Sequence, residues 1–327
     1  MKALARRLAP WGSLALVACA ATAPPEPAAP QADLAAVQRA ALIGALPGHY
    51  SNYAQARAAD DGRAVLDVEV RYLTDGARDA FVFERTTRAT GETQALVYLL
   101  APTASPDVVE FRFAPVREAG GERSAAEVLD EAQGRVRPGC VLPLTPTPDG
   151  LVGETNPATC RFEHPDLGTV GLLREVSVGR GTLTVAERLL RPDGGAAAPD
   201  SVLALRRHAV YRGWAGVRED ASAAPGDPAA WRLALPFTLR DDGRVVPLAD
   251  RAGEATGYAL RLSVVGWRSD EPPILRLAVL DAAGERELGF AWGEPGAERI
   301  GISLERFQAG LERATGRSRA NEGQVPD

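Results

Sequence analysis

The sequence predicts a mostly β chain, organised as an antiparallel barrel or sandwich with one helix ahead of it. Two observations lead there. Short segments of alternating apolar and polar residues recur along the chain. Turn signals such as Thr74-Asp75-Gly76, Asp149-Gly150, Arg180-Gly181 and Asp193-Gly194-Gly195 separate them at regular intervals.

The chain opens with a targeting pattern. Lys2, Arg6 and Arg7 precede a short apolar run with Trp11, Leu14, Leu16 and Val17. The run is too short to span a bilayer and fits the apolar part of a secretory signal over residues 1–18. Leu16-Val17-Ala18-Cys19 resembles a bacterial lipobox, in which the cysteine is diacylated and becomes the first mature residue. Residues 19–32 follow as an Ala/Pro tether, which cannot pack and would hold a folded body off a membrane. The expectation is a protein of the bacterial cell envelope, lipid-anchored at Cys19. Ala20, where an Asp would favour inner-membrane retention, points to the periplasmic face of the outer membrane.

The folded body begins with a helix over Asp33–Leu46. Asp33 is placed to cap it, and Leu34, Val37, Ala41, Leu42 and Ala45 fall near one face. From Ala64 the period becomes two. In VLDVEVRYL, Val65, Asp67, Glu69 and Arg71 take one face, and Leu66, Val68, Val70 and Tyr72 the other. Further strands are expected at Ala80–Glu84, Gln94–Leu100, Val108–Phe113, Cys140–Leu144, Leu151–Glu154, Thr169–Val178, Thr182–Leu190 and Leu205–Trp214. Ser124 with Glu127 forms a capping box for a short helix over Ser124–Ala132.

This first domain spans 33–219. A Pro/Gly/Ala-rich break over 220–230 leads to a smaller β-rich domain over 231–316, with strands at Trp231–Leu239, Tyr258–Trp267, Ile274–Leu280 and Glu287–Trp292. A hairpin turns at Ala282-Ala283-Gly284. The domain is expected to end in a helix, Leu304–Ala314, with Trp267, Trp292 and Phe307 in its core. Residues 317–327 read as a disordered tail.

With 37 basic and 43 acidic residues the chain carries a net charge of −6, and loss of a basic leader makes it more acidic still. That argues against nucleic acid as a partner. Cys140 and Cys160, an even pair in an exported chain, read as a disulfide closing a loop of about 20 residues, which stabilises by roughly 3 kcal/mol. CxxC spacing is absent and no histidine lies at ligand spacing from either cysteine, so no metal site is expected. GxSxG, P-loop, GxGxxG and HExxH motifs are also absent. His49, His164 and His208 are scattered, and the carboxylates alternate with arginines as on solvated strand faces. No residue stands out as a nucleophile or general base.

Three stretches nevertheless carry a resemblance. LPGHYSNYAQ supplies Gly48, Tyr50, Ser51, Asn52 and Gln55 in the pattern G-x-Y/F-S/N-N-x-x-Q. Gly139-Cys140, Gly150, Val152-Gly153 and Thr159-Cys160 follow in order, and then Glu175–Val178, Leu183–Arg188 and Asp193-Gly194. Over about residues 38–215 the chain resembles the CpcT/CpeT phycobiliprotein chromophore lyase family. The resemblance implies an antiparallel, calycin-like β-barrel with an open mouth. It implies a linear tetrapyrrole, a bilin, as ligand and lyase activity that attaches it to a cysteine of an acceptor protein. In such an enzyme the acceptor supplies the thiol, and the lyase supplies the cavity. The match departs where the family has an arginine-bearing strand: here that stretch reads Val97-Tyr98-Leu99. Lipobox and tether are also unlike a cytosolic lyase.

Two readings of the polar knot at Gly44–Asp60 stand. In one, Asn52 and Gln55 bond backbone groups where the helix meets the first strand, while Tyr50 and Tyr53 pack on the barrel mouth with their hydroxyls outward. In the other, Tyr50, Asn52, Tyr53, Gln55 and Tyr72 line a ligand mouth. The expected function is binding of a small hydrophobic or tetrapyrrole-like molecule in the barrel. The alternative is a structural or partner-binding envelope lipoprotein with a filled barrel.

Overall fold

The structure is a computed structural model that describes residues 34–59, 62–101, 103, 108–117, 123–219, 228–234, 236–266 and 272–314. The expected leader, the Cys19 anchor, the tether, the Asp33 cap, most of the 220–230 linker, Trp267 and the tail lie outside the described residues. The chain is 59% strand and 12% helix, so the mostly β reading holds.

Ten antiparallel strands form a closed barrel. They are β1 (Gly48–Ser51), β2 (Leu66–Thr74), β3 (Asp79–Thr87), β4 (Thr93–Ala101), β5 (Val109–Val116), β6 (Val141–Thr147), β7 (Gly150–Glu154), β9 (Gly168–Gly179), β10 (Thr182–Leu190) and β11 (Ser201–His208). The order is β10-β11-β1-β2-β3-β4-β5-β6-β7-β9, and pairing of β9 with β10 closes the ring. A short strand, β8 (Arg161–His164), hangs on the side of β9.

The predicted alternation on β2 holds. Val68, Val70 and Tyr72 face the barrel interior, where they meet Phe81, Tyr98, Phe111, Phe113, Leu142, Leu144 and Leu183. β3, β4 and β5 are apolar on both faces. Ala80, Val82, Ala95, Val97, Leu99 and Val116 face outward and are covered by Val128, Leu129 and Ala132 of a helix, Ala125–Arg135. Its capping box is formed as the sequence predicts, with Ser124 and Glu127 each accepting from the other's backbone N–H.

The N-terminal helix, α1 (Leu34–Ala45), lies at one end of the barrel. Its buried face differs from the expected one. Gln38 and Leu42 turn inward with Leu46 after them, whereas Val37 is exposed. A spacing of four keeps Gln38, Leu42 and Leu46 in line, so burial selects that line over the wider apolar arc.

The expected strand over Leu205–Trp214 is two strands. β11 ends at His208 inside the barrel sheet, and β12 (Val210–Arg218) starts a different sheet. There it pairs with β13 (Trp231–Leu233), β14 (Phe237–Arg240) and β20 (Phe307–Arg313), and β20 pairs in turn with β19 (Arg299–Ser303). A second sheet holds β15 (Asp242–Ala249), β16 (Ala255–Val265), β17 (Ile274–Asp281) and β18 (Glu287–Gly293). The two sheets enclose a core of Tyr211, Leu239, Leu260, Leu262, Leu275, Leu277, Val279, Phe307 and Leu311.

Two expectations for this part are overturned. The segment expected as a helix, Leu304–Ala314, holds strand β20 instead. Leu304, Phe307 and Leu311 fit a helical period, but Phe307, Ala309 and Leu311 fit a period of two. Ladder partners on both sides decide for the strand. Phe307 is in the core as expected, but Trp292 is 45% exposed on the outer face of edge strand β18.

The disulfide between Cys140 and Cys160 is formed, and both cysteines are buried in the barrel core. The glycine before it is required. Gly139 has φ +80°, and a Cβ there would lie 2.3 Å from the Thr159 carbonyl oxygen. Thr159 Oγ1 in turn donates to the Gly139 carbonyl.

Charged groups join the barrel to the C-terminal sheets. Asp67 on β2 accepts from Arg88 at 2.9 Å and from Arg244 at 2.9 Å, and it lies 2.5 Å from Arg240 Nη1. Beside them Ser51 Oγ is 3.1 Å from His208 Nε2, and His208 Nδ1 is 3.4 Å from Asp241 Oδ1.

Candidate functional site

A cavity of about 380 Å³ occupies the end of the barrel remote from α1. Strand alternation builds its wall. From β3 come Phe83 and Arg85, from β4 Leu96 and Tyr98, from β5 Pro115 followed by Arg117, and from β9 Arg174. β10 contributes Leu183, Val185 and Glu187, and β11 contributes Ser201, Leu203 and Leu205. The floor is aromatic. Phe83 and Tyr98 have ring centroids 4.8 Å apart, and Tyr98 meets Phe113 at 5.7 Å and Phe111 at 5.9 Å. Below this layer a crevice of about 20 Å³ runs to Leu46 at the helix end. The barrel is therefore packed in one half and open in the other. Arg85, Thr93, Gln94, Pro115, Arg117 and Ser201 are the exposed residues of the rim.

The cavity holds one buried cation. Arg174 is 9% exposed, and its guanidinium lies 4.0 Å from the Phe113 ring centroid. Its Nε donates to Glu187 Oε1 over 2.6 Å, and its Nη1 donates to Tyr98 Oη over 3.5 Å. Burial opposes its charge, but Tyr98 and Glu187 beside it hold its pKa above the ordinary arginine value. Desolvation raises the Tyr98 pKa, so the phenol stays neutral. The lining contains no cysteine, histidine or aspartate. Its chemistry is recognition: apolar walls, an aromatic floor, guanidinium groups and one carboxylate.

None of the five residues singled out from the sequence lines this cavity. Tyr50 is buried, and its hydroxyl donates inward to the Leu46 carbonyl over 2.8 Å rather than turning outward. That carbonyl follows the last turn of α1, where acceptors lack helical partners. Asn52 Nδ2 donates to Ala64 O and its Oδ1 accepts from Leu66 N, fixing the start of β2. Gln55, on a short helix over Tyr53–Ala58, accepts from Ala204 N and donates to Val202 O. Tyr53 lies near the guanidinium groups of Arg57, Arg88 and Arg244, 5.7–6.0 Å away. Tyr72 faces the barrel core at the opposite end, where its hydroxyl donates to Asp79 over 2.5 Å. Asp79 also pairs with Arg39 of α1. The structure brings Tyr50, Asn52 and Gln55 together as the bonds of a junction. Cys19 lies outside the described residues.

Sequence reasoning missed Arg174, Glu187, Arg85 and Arg117. Each had a readable signal, because each interrupts or ends an inward-facing series of period two. These series are Leu172-Arg174-Val176, Val185-Glu187-Leu189, Phe81-Phe83-Arg85 and Phe113-Pro115-Arg117.

The order Ser51–His208–Asp241 has the composition of a nucleophilic relay. Ser51, however, is 1% exposed, lines none of the described cavities, and also accepts from Tyr53 N–H. The chain of bonds ties β1 and β11 to the C-terminal sheets. Among the described residues no group of three or more His, Cys, Asp and Glu side chains could hold a metal ion. No helix among them is long and apolar enough to cross a membrane. No protein-family model matches the chain, and no curated protein is similar to it.

Proposed function

We propose that this protein binds a small, largely apolar molecule in the open half of its barrel. One observation carries the reading: a preformed cavity of about 380 Å³ with aliphatic and aromatic walls and few converging polar groups. Volumes of roughly 300–1,000 Å³ with such linings are the usual form of small-molecule sites. Closure of the sheet, the Cys140–Cys160 bridge and the packed lower half support a cavity that exists before the ligand arrives. An anchor at Cys19 would place this binding body at a bacterial envelope membrane.

A saturable rise in fluorescence of a neutral naphthylamine dye on titration with the protein is the expected result. Leu203→Trp, which fills the cavity, should abolish it while leaving the far-ultraviolet circular dichroism unchanged. Absence of saturable binding, or binding indifferent to Leu203→Trp, overturns the reading in favour of a structural or partner-binding lipoprotein.

A narrower reading is a calycin-like barrel of the chromophore-lyase type that orients a bilin for attachment to an acceptor thiol. What favours it is the guanidinium groups around an aromatic floor, which the Val97-Tyr98-Leu99 stretch alone did not promise. Saturable uptake of biliverdin with a shift of its visible spectrum tests the binding half. Thioether formation on an added acceptor protein tests the lyase half.

A further inference from the structure

We infer that the ligand of the barrel cavity is an amphiphile with an acid group at one end, whose carboxylate is met by Arg85 and Arg117 at the rim. This rests on the reading of the cavity as a binding site. Its basis is a gradient built twice into the wall. On β3 the inward series runs Phe81, Phe83, Arg85, and on β5 it runs Phe111, Phe113, Pro115 and then Arg117 just past the strand. Both strands run toward the same end of the barrel, because each pairs antiparallel with β4 between them. A molecule lying along these series meets aromatic and aliphatic groups first and guanidinium groups last.

The charges do not cancel within the cavity. Its charged lining is Arg85, Arg117, Arg174 and Glu187. Glu187 is engaged by Arg174. Arg85 donates to the neutral amide of Gln94. Arg117 uses its backbone N–H on Glu131, and among the described residues its guanidinium has no ion-pair partner. Among the described residues, two cations therefore stand without an ion-pair partner at the mouth of an apolar cavity, in a chain of net charge −6. Beside low-dielectric walls their field is strong, and a carboxylate held there gains charge-assisted hydrogen bonds. A neutral alcohol gains less, and a cation is repelled.

The full chain, loaded with the neutral naphthylamine dye at low salt, is titrated with decanoate, decanol and decyltrimethylammonium. Decanoate is expected to displace the dye about tenfold or more tightly than decanol, with the ammonium weakest. The decanoate advantage should shrink as salt is raised. In Arg85→Gln/Arg117→Gln it should vanish while decanol affinity changes less than about twofold. Equal affinities for decanoate and decanol overturn the inference and leave the cavity reading standing. So does an advantage that survives in the double variant. If the dye and all three probes fail to bind, the cavity reading falls and takes this inference with it.

Discussion

Arg174 and Glu187 are direct cross-strand partners on β9 and β10, and both turn into the barrel, where Nε donates to Oε1 over 2.6 Å. The arginine is nearly buried, whereas the Glu187 side chain is 38% exposed. Glu187→Gln preserves the shape and removes the counter-charge. Breaking a fully buried pair costs about 3–5 kcal/mol, and solvent at Glu187 lowers the expected loss to about 1–3 kcal/mol. Urea unfolding measures it. Arg174→Met with Glu187→Leu should recover most of the loss, because an apolar pair leaves no buried charge. A Glu187→Gln protein within about 0.5 kcal/mol of wild type would mean that Phe113 and Tyr98 suffice to hold the cation.

Gln55 acts as a piece of strand. β1 stops at Ser51 and covers only Arg206–His208 of β11. Beyond that point the Gln55 amide takes over, accepting from Ala204 N at 3.1 Å and donating to Val202 O at 2.9 Å. Gln55→Ala should destabilise by about 1 kcal/mol and speed hydrogen exchange at the Ala204 amide selectively. The Val202 carbonyl keeps a donor in Arg63, so the break is confined to one amide. Leu203 and Leu205 of the cavity wall sit on the same stretch, so dye affinity should fall modestly as well.

These two cases show what the sequence made legible. Strict alternation over Leu66, Val68, Val70 and Tyr72 identified a half-buried strand, and Ser124 with Glu127 identified a helix start, because both signals are local. Tyr50, Asn52 and Gln55 drew attention as a site because polar groups were dense there. That density answers to backbone groups left over at a helix end and beside a short strand. The cavity lay beyond reach for the opposite reason. Its lining comes from strands distant in sequence, and its emptiness depends on which end α1 closes. Arg174 and Glu187 were visible as charges inside apolar series, but their partnership is set by the β9–β10 register.

The Cys140–Cys160 bridge spans 20 residues and ties the start of β6 to the start of β8. In the chain-entropy picture a loop of that size stabilises by roughly 3 kcal/mol. Cys140→Ala/Cys160→Ala should lower the free energy of unfolding by about that amount, read from urea midpoints. Reductant should bring the wild type to the same value and leave the variant unchanged. A wild type indifferent to reductant under unfolding conditions would contradict the bridge.

Asp242 gives the junction between barrel and C-terminal sheets a pH dependence of unusual sign. Its side chain is 1% exposed and pairs with Arg244, which is shared with Asp67. Its Oδ1 accepts from the Arg244 backbone N–H over 3.2 Å, whereas its Oδ2 makes no hydrogen bond and meets the guanidinium as an ion contact. Burial pushes the carboxyl up to about 6, against the pull of His208, Arg88 and Arg240. The unfolded value is about 3.9. A raised folded value means that the folded state holds its proton more tightly, so stability from this group is fully present below about pH 4 and is lost as pH rises through about 6. Over that window the contribution amounts to about 3 kcal/mol. Asp75, Asp250 and Asp281 have lowered values and act the other way in acid, so the wild type alone does not isolate Asp242. The comparison with Asp242→Asn does. The variant should be the more stable protein at pH 7.5, and its advantage should disappear by about pH 4. Urea unfolding of both proteins across that range measures it. A variant less stable than wild type at pH 7.5 would show that the Asp242–Arg244 contact outweighs the burial of its charge.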